Sequence, residues 1–545
     1  MTVETKTEAM ATVTGTTRPT ARPLDTQDLS ADEIQLRAQG HVGEMPRQFG
    51  LLSTLSLAFS ITNSWVAFAA IIATPLYAGG GPSVVYSLLL ATIACSFINA
   101  GLAELASAFP SSGGQYHFTY MVAAPKNRAM LAFTCGWLSV LAWDMATSSA
   151  FSFCAQIFLN IASFLHPEYQ WTQWQVYLIY VLLIIIAVVI VTFMPRQLPL
   201  MEQIFFWMSI SGFIATAVAM LARSPHRQSA STVFVHWTNE TGWSDGTAFL
   251  LSAGSCMYMY VALDASTHIA EEMPNPSRTL PRVMFLTMVI GALTSFLWAF
   301  AFMFAATDLA EVAASKLPVL TLYSQALNND SVAVFFVVWL FLIYYGAAIG
   351  CLVTTGRQTW AFSRDNGLPY SKVFARIHPK LETPANATLL TGAFCIIYGA
   401  IYVGSTTAFN SFVSLAILGL NGSYTIPQAI VLLRGRNNVL PKRALNLGRI
   451  MGPFCNAFSI AWVAVYTVLF CFPVFLPVTS ESMNYLSVVV AGVGLFISIL
   501  WWGGKRKTFV GPTIDLEILD SVSLSRTPSS ASEAGNPKLD LKPAV

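Results

Sequence analysis

Between about residue 51 and residue 503 the chain runs as a series of about twelve apolar stretches, each near the ~20 residues that cross a bilayer core as a helix. Their approximate positions are 51–73, 84–108, 129–162, 176–194, 203–222, 247–270, 283–306, 332–356, 386–404, 408–433, 456–476 and 484–503. Within lipid every backbone N–H and C=O must be bonded inside the protein. Repeated runs of this length therefore point to an all-α membrane bundle. The third run is long enough to tilt strongly or to extend past the bilayer. Composition agrees, with 10% charged residues against ~25% in a soluble domain. A net charge of +2 from 29 basic and 27 acidic residues, with no basic tract, gives no footprint for nucleic acid. No G-x-x-x-x-G-K-[ST] loop is present to bind ATP.

The ends differ in character. Residues 1–48 are polar and rich in Thr, Ala and Pro, and read as a disordered tail. Residues 504–545 read the same way and include the Ser/Pro-rich "RTPSS", where Thr527 precedes Pro528. No apolar segment stands early enough for a cleaved signal peptide. With the N-terminus placed in the cytoplasm, nearly all of the 29 Lys and Arg fall in cytoplasmic segments. Only Arg223, Arg227 and Lys316 fall outside. Both termini are then cytoplasmic. The triplets at Asn239 and Asn329 fall in outer loops and are candidate glycan acceptors. The eight cysteines sit in or beside apolar runs without close pairs, and read as packing residues.

Two runs carry polar interruptions near their middles. The first reads "LAFSITNSWVAF", with Thr62, Asn63 and Ser64 together; the sixth reads "GSCMYMYVALDAST". Five runs apart, they cross in opposite directions and would be equivalents in an inverted repeat. Matching breaks in two halves mark a transporter binding site. The bland alternative is that these residues bond to neighbouring helices. Thr62, Asn63, Ser64, Trp65, Tyr260, Ala262 and Asp264 are the candidate substrate-binding residues. Backbone groups around Asn63–Trp65 suit a substrate carboxylate. Trp65, Trp143, Phe153, Tyr258 and Tyr260 are candidate walls, and an aromatic face suits a quaternary ammonium.

Ionisable residues inside a span are costly and need a partner or a wet cavity. Asp264 caps the inner half of the sixth helix, contacts a substrate amine, or carries a proton. His268 and Glu272 follow at four-residue steps on one face. The spacing permits metal ligation, but no second ligand cluster accompanies it. An ion-pair or gating network fits better, with Arg357 or loop bases as partners. Asp144, in mid-span, is the other candidate proton carrier.

The motifs resemble those of a known group. "GLAELASAFPSSGGQYHF" (101–118), "ALDASTHIAEE" (262–272), "SRDNGLP" (363–369) and "TPANA" (383–387) look like motifs of the amino acid–polyamine–organocation permeases. "FSITNSW" and "GGQYHF" lean toward the fungal GABA, choline and amino acid branch. The resemblance implies a leucine-transporter-type fold: twelve transmembrane helices, a 5+5 inverted repeat and two further C-terminal helices. It sets residues 49–434 as the transport core and 435–503 as the added pair. It favours Glu271 and Glu272 as gating residues and Glu104 as structural. It implies secondary transport of a GABA-like or choline-like solute across the plasma membrane or the vacuole, usually with H+, and neither enzyme activity nor a metal or other cofactor. A nutrient-sensing receptor and a metabolite exporter are the alternatives. Some proton-coupled relatives carry a lysine in the fifth span; "IFFWMSISGFIATAVAM" has none.

Overall fold

A computed structural model describes residues 31–512, except Gln39, Val42, Glu481 and Val510. Among the described residues there is no strand. Among the described residues, twelve helices are long and apolar enough to cross a membrane: Leu51–Ile71, Ala73–Ala108, Arg128–Leu165, Gln173–Phe193, Pro195–Arg223, Asp245–Glu272, Pro276–Ala305, Asp330–Arg364, Ala385–Gly404, Thr406–Arg434, Gly448–Leu469 and Leu486–Thr508. We call these spans 1 to 12. Span 5 begins about two turns before its apolar run, which brings Glu202 inside it.

The bundle turns its apolar residues outward as well as inward. Leu178, Leu182, Ile185 and Val189 on span 4 are all exposed, a face that lipid covers at no hydrophobic cost. Polar side chains gather inside instead, among them Asp144, Glu202, Asp264 and His268. Spans five apart pack on each other: 1 on 6, 2 on 7, 3 on 8 and 4 on 9. This pairing of equivalents is the internal symmetry of the leucine-transporter-type fold. Spans 11 and 12 pack on span 10 from outside.

Both broken spans break where the sequence interrupts them. Span 1 is helical over Leu51–Thr62, passes through Asn63 in the left-handed region (φ 31°), and resumes over Ser64–Ile71. Asparagine tolerates that conformation better than most residues. Span 6 is helical over Asp245–Cys256, then runs through a short turn and an extended Val261 to Ala262 at φ 71°. Alanine there carries strain of about 1–3 kcal/mol, which the surrounding packing must overcome. Ser64 donates to the Met259 carbonyl at 3.0 Å and ties the two breaks together.

An even number of spans puts both described ends on one side of the bundle, here the N-terminal side. Order reaches further into the ends than composition indicates. Ala31–Ala38 is helical, and Leu36, His41, Met45 and Phe49 are buried. Asp32 accepts from the Asn275 amide at 2.9 Å, and Phe49 donates to the Glu272 carbonyl at 3.0 Å. At the other end Phe509 packs between Phe133 and Phe362. The buried residues are few and irregularly spaced, so average polarity hides them. Of the expected tails, residues 1–30 and 513–545 lie outside the described residues.

Candidate substrate site and its barriers

The two breaks face a small, partly enclosed cavity of about 30 Å³, walled also by spans 3 and 8. Thr62, Asn63 and Ala262 line it with Ser149, Tyr258, Tyr344 and Cys351. That volume holds about one water molecule, too little for an organic solute. Asn63 accepts from Ser209 at 2.8 Å through its oxygen, while its amide nitrogen has no partner among the described residues.

A larger vestibule of about 250 Å³ opens on the side away from the termini. It shares Ser149, Tyr258 and Tyr344 with the small cavity. The Tyr258 and Tyr344 hydroxyls meet at 3.0 Å, Ser149 joins Tyr258 at 3.2 Å, and the Phe153 ring packs on Tyr344 at 4.8 Å. One layer of side chains therefore separates vestibule from site. Neither space is lined by a charged residue.

Several expected binding residues turn away. Tyr260 bonds to Thr92 on span 2 at 2.8 Å. Trp65 donates to Ser209 at 2.9 Å and stacks near Trp298. Asp264 is fully buried and does not line the cavity. Gln115 (2.8 Å), Trp143 (3.0 Å) and His268 (2.8 Å) reach one of its oxygens, and Tyr424 (2.6 Å) donates to the other. No side-chain cap bond forms. Four donors hold its carboxylate, which ties spans 3, 6 and 10 together away from the cavity. Both His268 nitrogens face oxygens, Asp264 and the Ser112 carbonyl at 3.1 Å. Asp144 is buried beside span 9, one carboxyl oxygen unpartnered.

The termini side is closed in depth. Glu271 takes two bonds of 2.9 Å from Arg364. Glu272 pairs with Arg357 through both oxygens and takes a 3.0 Å bond from Gln48. Arg357 is 1% exposed, so this pair is desolvated, and removing one partner of such a pair costs about 3–5 kcal/mol. Beyond it, His41 meets Asp365 at 3.0 Å and Tyr116 donates to Asp365 at 2.9 Å. Burial alone would raise the Asp365 carboxyl, but His41, then Arg364, hold it below its usual range. His117 is pushed down to about 3, first by burial and next by His41. Glu104 fastens the segment after span 10 through Arg436 and Arg443.

Tyr344, Ser149, Tyr424, Gln115 and Glu202 escape the sequence reading. Tyr344 sits in an ordinary aromatic pair, and Gln115 and Tyr424 matter only through contacts from distant spans. Glu202 had a signal, a lone acid abutting an apolar run. Asn239 and Asn329 lie on the side away from the termini. The Asn239 amide nitrogen already bonds Trp243 (2.8 Å) and Asp245 (3.0 Å), whereas Asn329 is exposed and uses only its oxygen, as the cap of span 8.

Comparison with known proteins matches residues 50–495 to the family described as "Amino acid permease". A choline transporter of Saccharomyces cerevisiae is 31% identical over 89% of this chain and 85% of its own length. An uncharacterized amino-acid permease of Schizosaccharomyces pombe is 31% identical over 90% of this chain and 91% of its own. An amino-acid permease of Arabidopsis thaliana is 25% identical over 89% and 96%.

Proposed function

The chain belongs to the amino acid permease family, within the amino acid–polyamine–organocation superfamily, and from that premise we propose that it imports a choline-like quaternary ammonium solute by alternating access, coupled to H+. It is a transporter and not an enzyme. The supporting observation is the lining of the small cavity: Tyr258, Tyr344, Asn63 and small side chains, with no carboxylate. A primary ammonium needs hydrogen-bond acceptors. A quaternary ammonium has no N–H and is held by aromatic faces, worth about 0.5–2 kcal/mol per ring. The choline transporter among its relatives supports the same class.

A GABA-like amino acid is the second reading. One observation favours it: the first amides of Ser64–Ile71 lie at the positive end of a half-helix beside the cavity, where a carboxylate binds well. Competition separates the two. In yeast lacking its own permeases, labelled choline uptake should be blocked by other quaternary ammonium compounds and weakly by GABA. Blockade by GABA alone would reverse the assignment.

We read the termini side as cytoplasmic, from the bias of Lys and Arg. The arrangement described then has its vestibule outside and its ion pairs shut inside. Residues 49–434 are the moving core, 435–503 an added pair, and the plasma membrane the site of residence. Uptake without downstream signalling separates a transporter from a sensor.

A further inference from the structure

Glu202 on span 5 is 1% exposed, and neither carboxyl oxygen has a hydrogen-bond partner among the described residues. Two spans press on it. Ser60 of span 1 donates at 3.3 Å to the Glu202 backbone carbonyl, and its hydroxyl is the donor that lies nearest the carboxyl. On span 8, a Cβ added at Gly350 would stand 3.2 Å from Glu202 Oε1 and 2.7 Å from Ile61. Glycine there is what admits the carboxyl. The titratable neighbour is the Cys351 thiol of span 8. The helix Pro318–Leu327, also packed on span 5, has no charged residue. Span 7 has only Arg278 and Arg282, both exposed in its first turns on the termini side. With no counter-charge among these elements, and the Ser60 hydroxyl turned to the backbone carbonyl, an ionised carboxylate does not persist in such surroundings, and the neutral acid is the form that fits.

We propose that Glu202 is the proton-carrying group of transport, a role resting on the coupled-transport reading above. In the arrangement described it is the neutral acid, having taken a proton from hydronium and left water behind. Neutrality lets span 5 close on spans 1 and 8. Release of that proton to water leaves a carboxylate that must be hydrated, which draws spans 1, 5 and 8 apart on the termini side. Ile61 and Cys351 line the central cavity as well, so site and proton share a wall. Ser56 and Thr354, each one turn from the contact residues Ser60 and Gly350, also have unpartnered hydroxyls and would serve the incoming water.

Two arms test this on the full chain in liposomes. The first needs no substrate. Infrared spectroscopy should show the carbonyl stretch of a buried, non-hydrogen-bonded carboxylic acid, lost in Glu202→Gln and kept in Asp144→Asn. The second uses choline. Glu202→Gln should lose accumulation driven by a proton gradient, while its residual counterflow no longer varies with pH; Glu202→Asp should restore coupling with a displaced pH profile. An unchanged infrared band, or wild-type gradient-driven accumulation in Glu202→Gln, overturns the proposal. So does sodium-stimulated transport that Glu202→Gln abolishes, which would make the group a metal-cation ligand. If the wild type moves no choline, the substrate reading fails while the infrared arm still decides Glu202.

Discussion

Asp264 and Tyr258 show how differently two residues of one broken helix are used. Asp264 receives four side-chain donors from three other elements and from His268. Asp264→Asn puts an NH2 group against donors that need an acceptor. The expected result is a fall in folded, surface-delivered protein, in the range of about 3–5 kcal/mol for breaking a buried pair; fluorescence-detected size exclusion and surface labelling measure it. Tyr258→Ala removes a ring and a hydroxyl from the layer over the site. It should raise the choline KM roughly 3- to 30-fold, the equivalent of one cation–π contact, with folded yield maintained. Sequence made Asp264 conspicuous because a charge in an apolar run is rare. It could not show that three partners from sequence-distant positions join His268 in holding the carboxylate. Tyr258 was legible only as one of many aromatics, since its role depends on Tyr344, 86 positions away.

Among the elements, the N-terminal segment against the helix Gln115–Val122 has the clearest pH signature. His117 is buried neutral with both ring nitrogens unpartnered, and its folded value of about 3 lies below the ~6.5 of a free histidine. Between those values the undocked form binds the extra proton. The contribution to docking is therefore whole above ~6.5 and drains away as pH falls toward the folded value. Asp365, also depressed, adds a loss in the same direction at lower pH. Loss of amide protection at residues 43–50, after correction for the intrinsic pH dependence of exchange, should grow as pH is lowered from 7 to 5. His117→Phe should flatten that rise; an equal rise in the variant would assign it elsewhere. On the other face, Asn329→Gln should remove a glycan-dependent mobility shift in yeast and Asn239→Gln should not. The Asn239 nitrogen is already spent in its own turn. Both triplets look alike in sequence; only the fold distinguishes an engaged amide from a free one.

For the whole molecule, closure is asymmetric: one layer of aromatic side chains toward the vestibule, two buried ion pairs and a docked segment toward the termini. Glu272→Gln leaves Arg357 desolvated and unpaired and should favour arrangements open on the termini side. Cys351, which lines the site, would then react faster with a thiol reagent supplied from that side. The span count, the two breaks and the resemblance of the family motifs were all legible, because lipid dictates run length and a broken helix must be polar at its break. Of the residues lining the cavity, the sequence pointed to Thr62, Asn63, Tyr258 and Ala262; spans 3 and 8 carry no local mark of which face turns inward. The most direct test of the account is saturable uptake of labelled choline by permease-deficient yeast expressing this chain, compared with Tyr258→Ala and Tyr344→Leu. The account predicts uptake driven by a proton gradient, inhibited by quaternary ammonium compounds, with KM raised in both variants. Uptake absent for choline, or indifferent to both tyrosines, would contradict it.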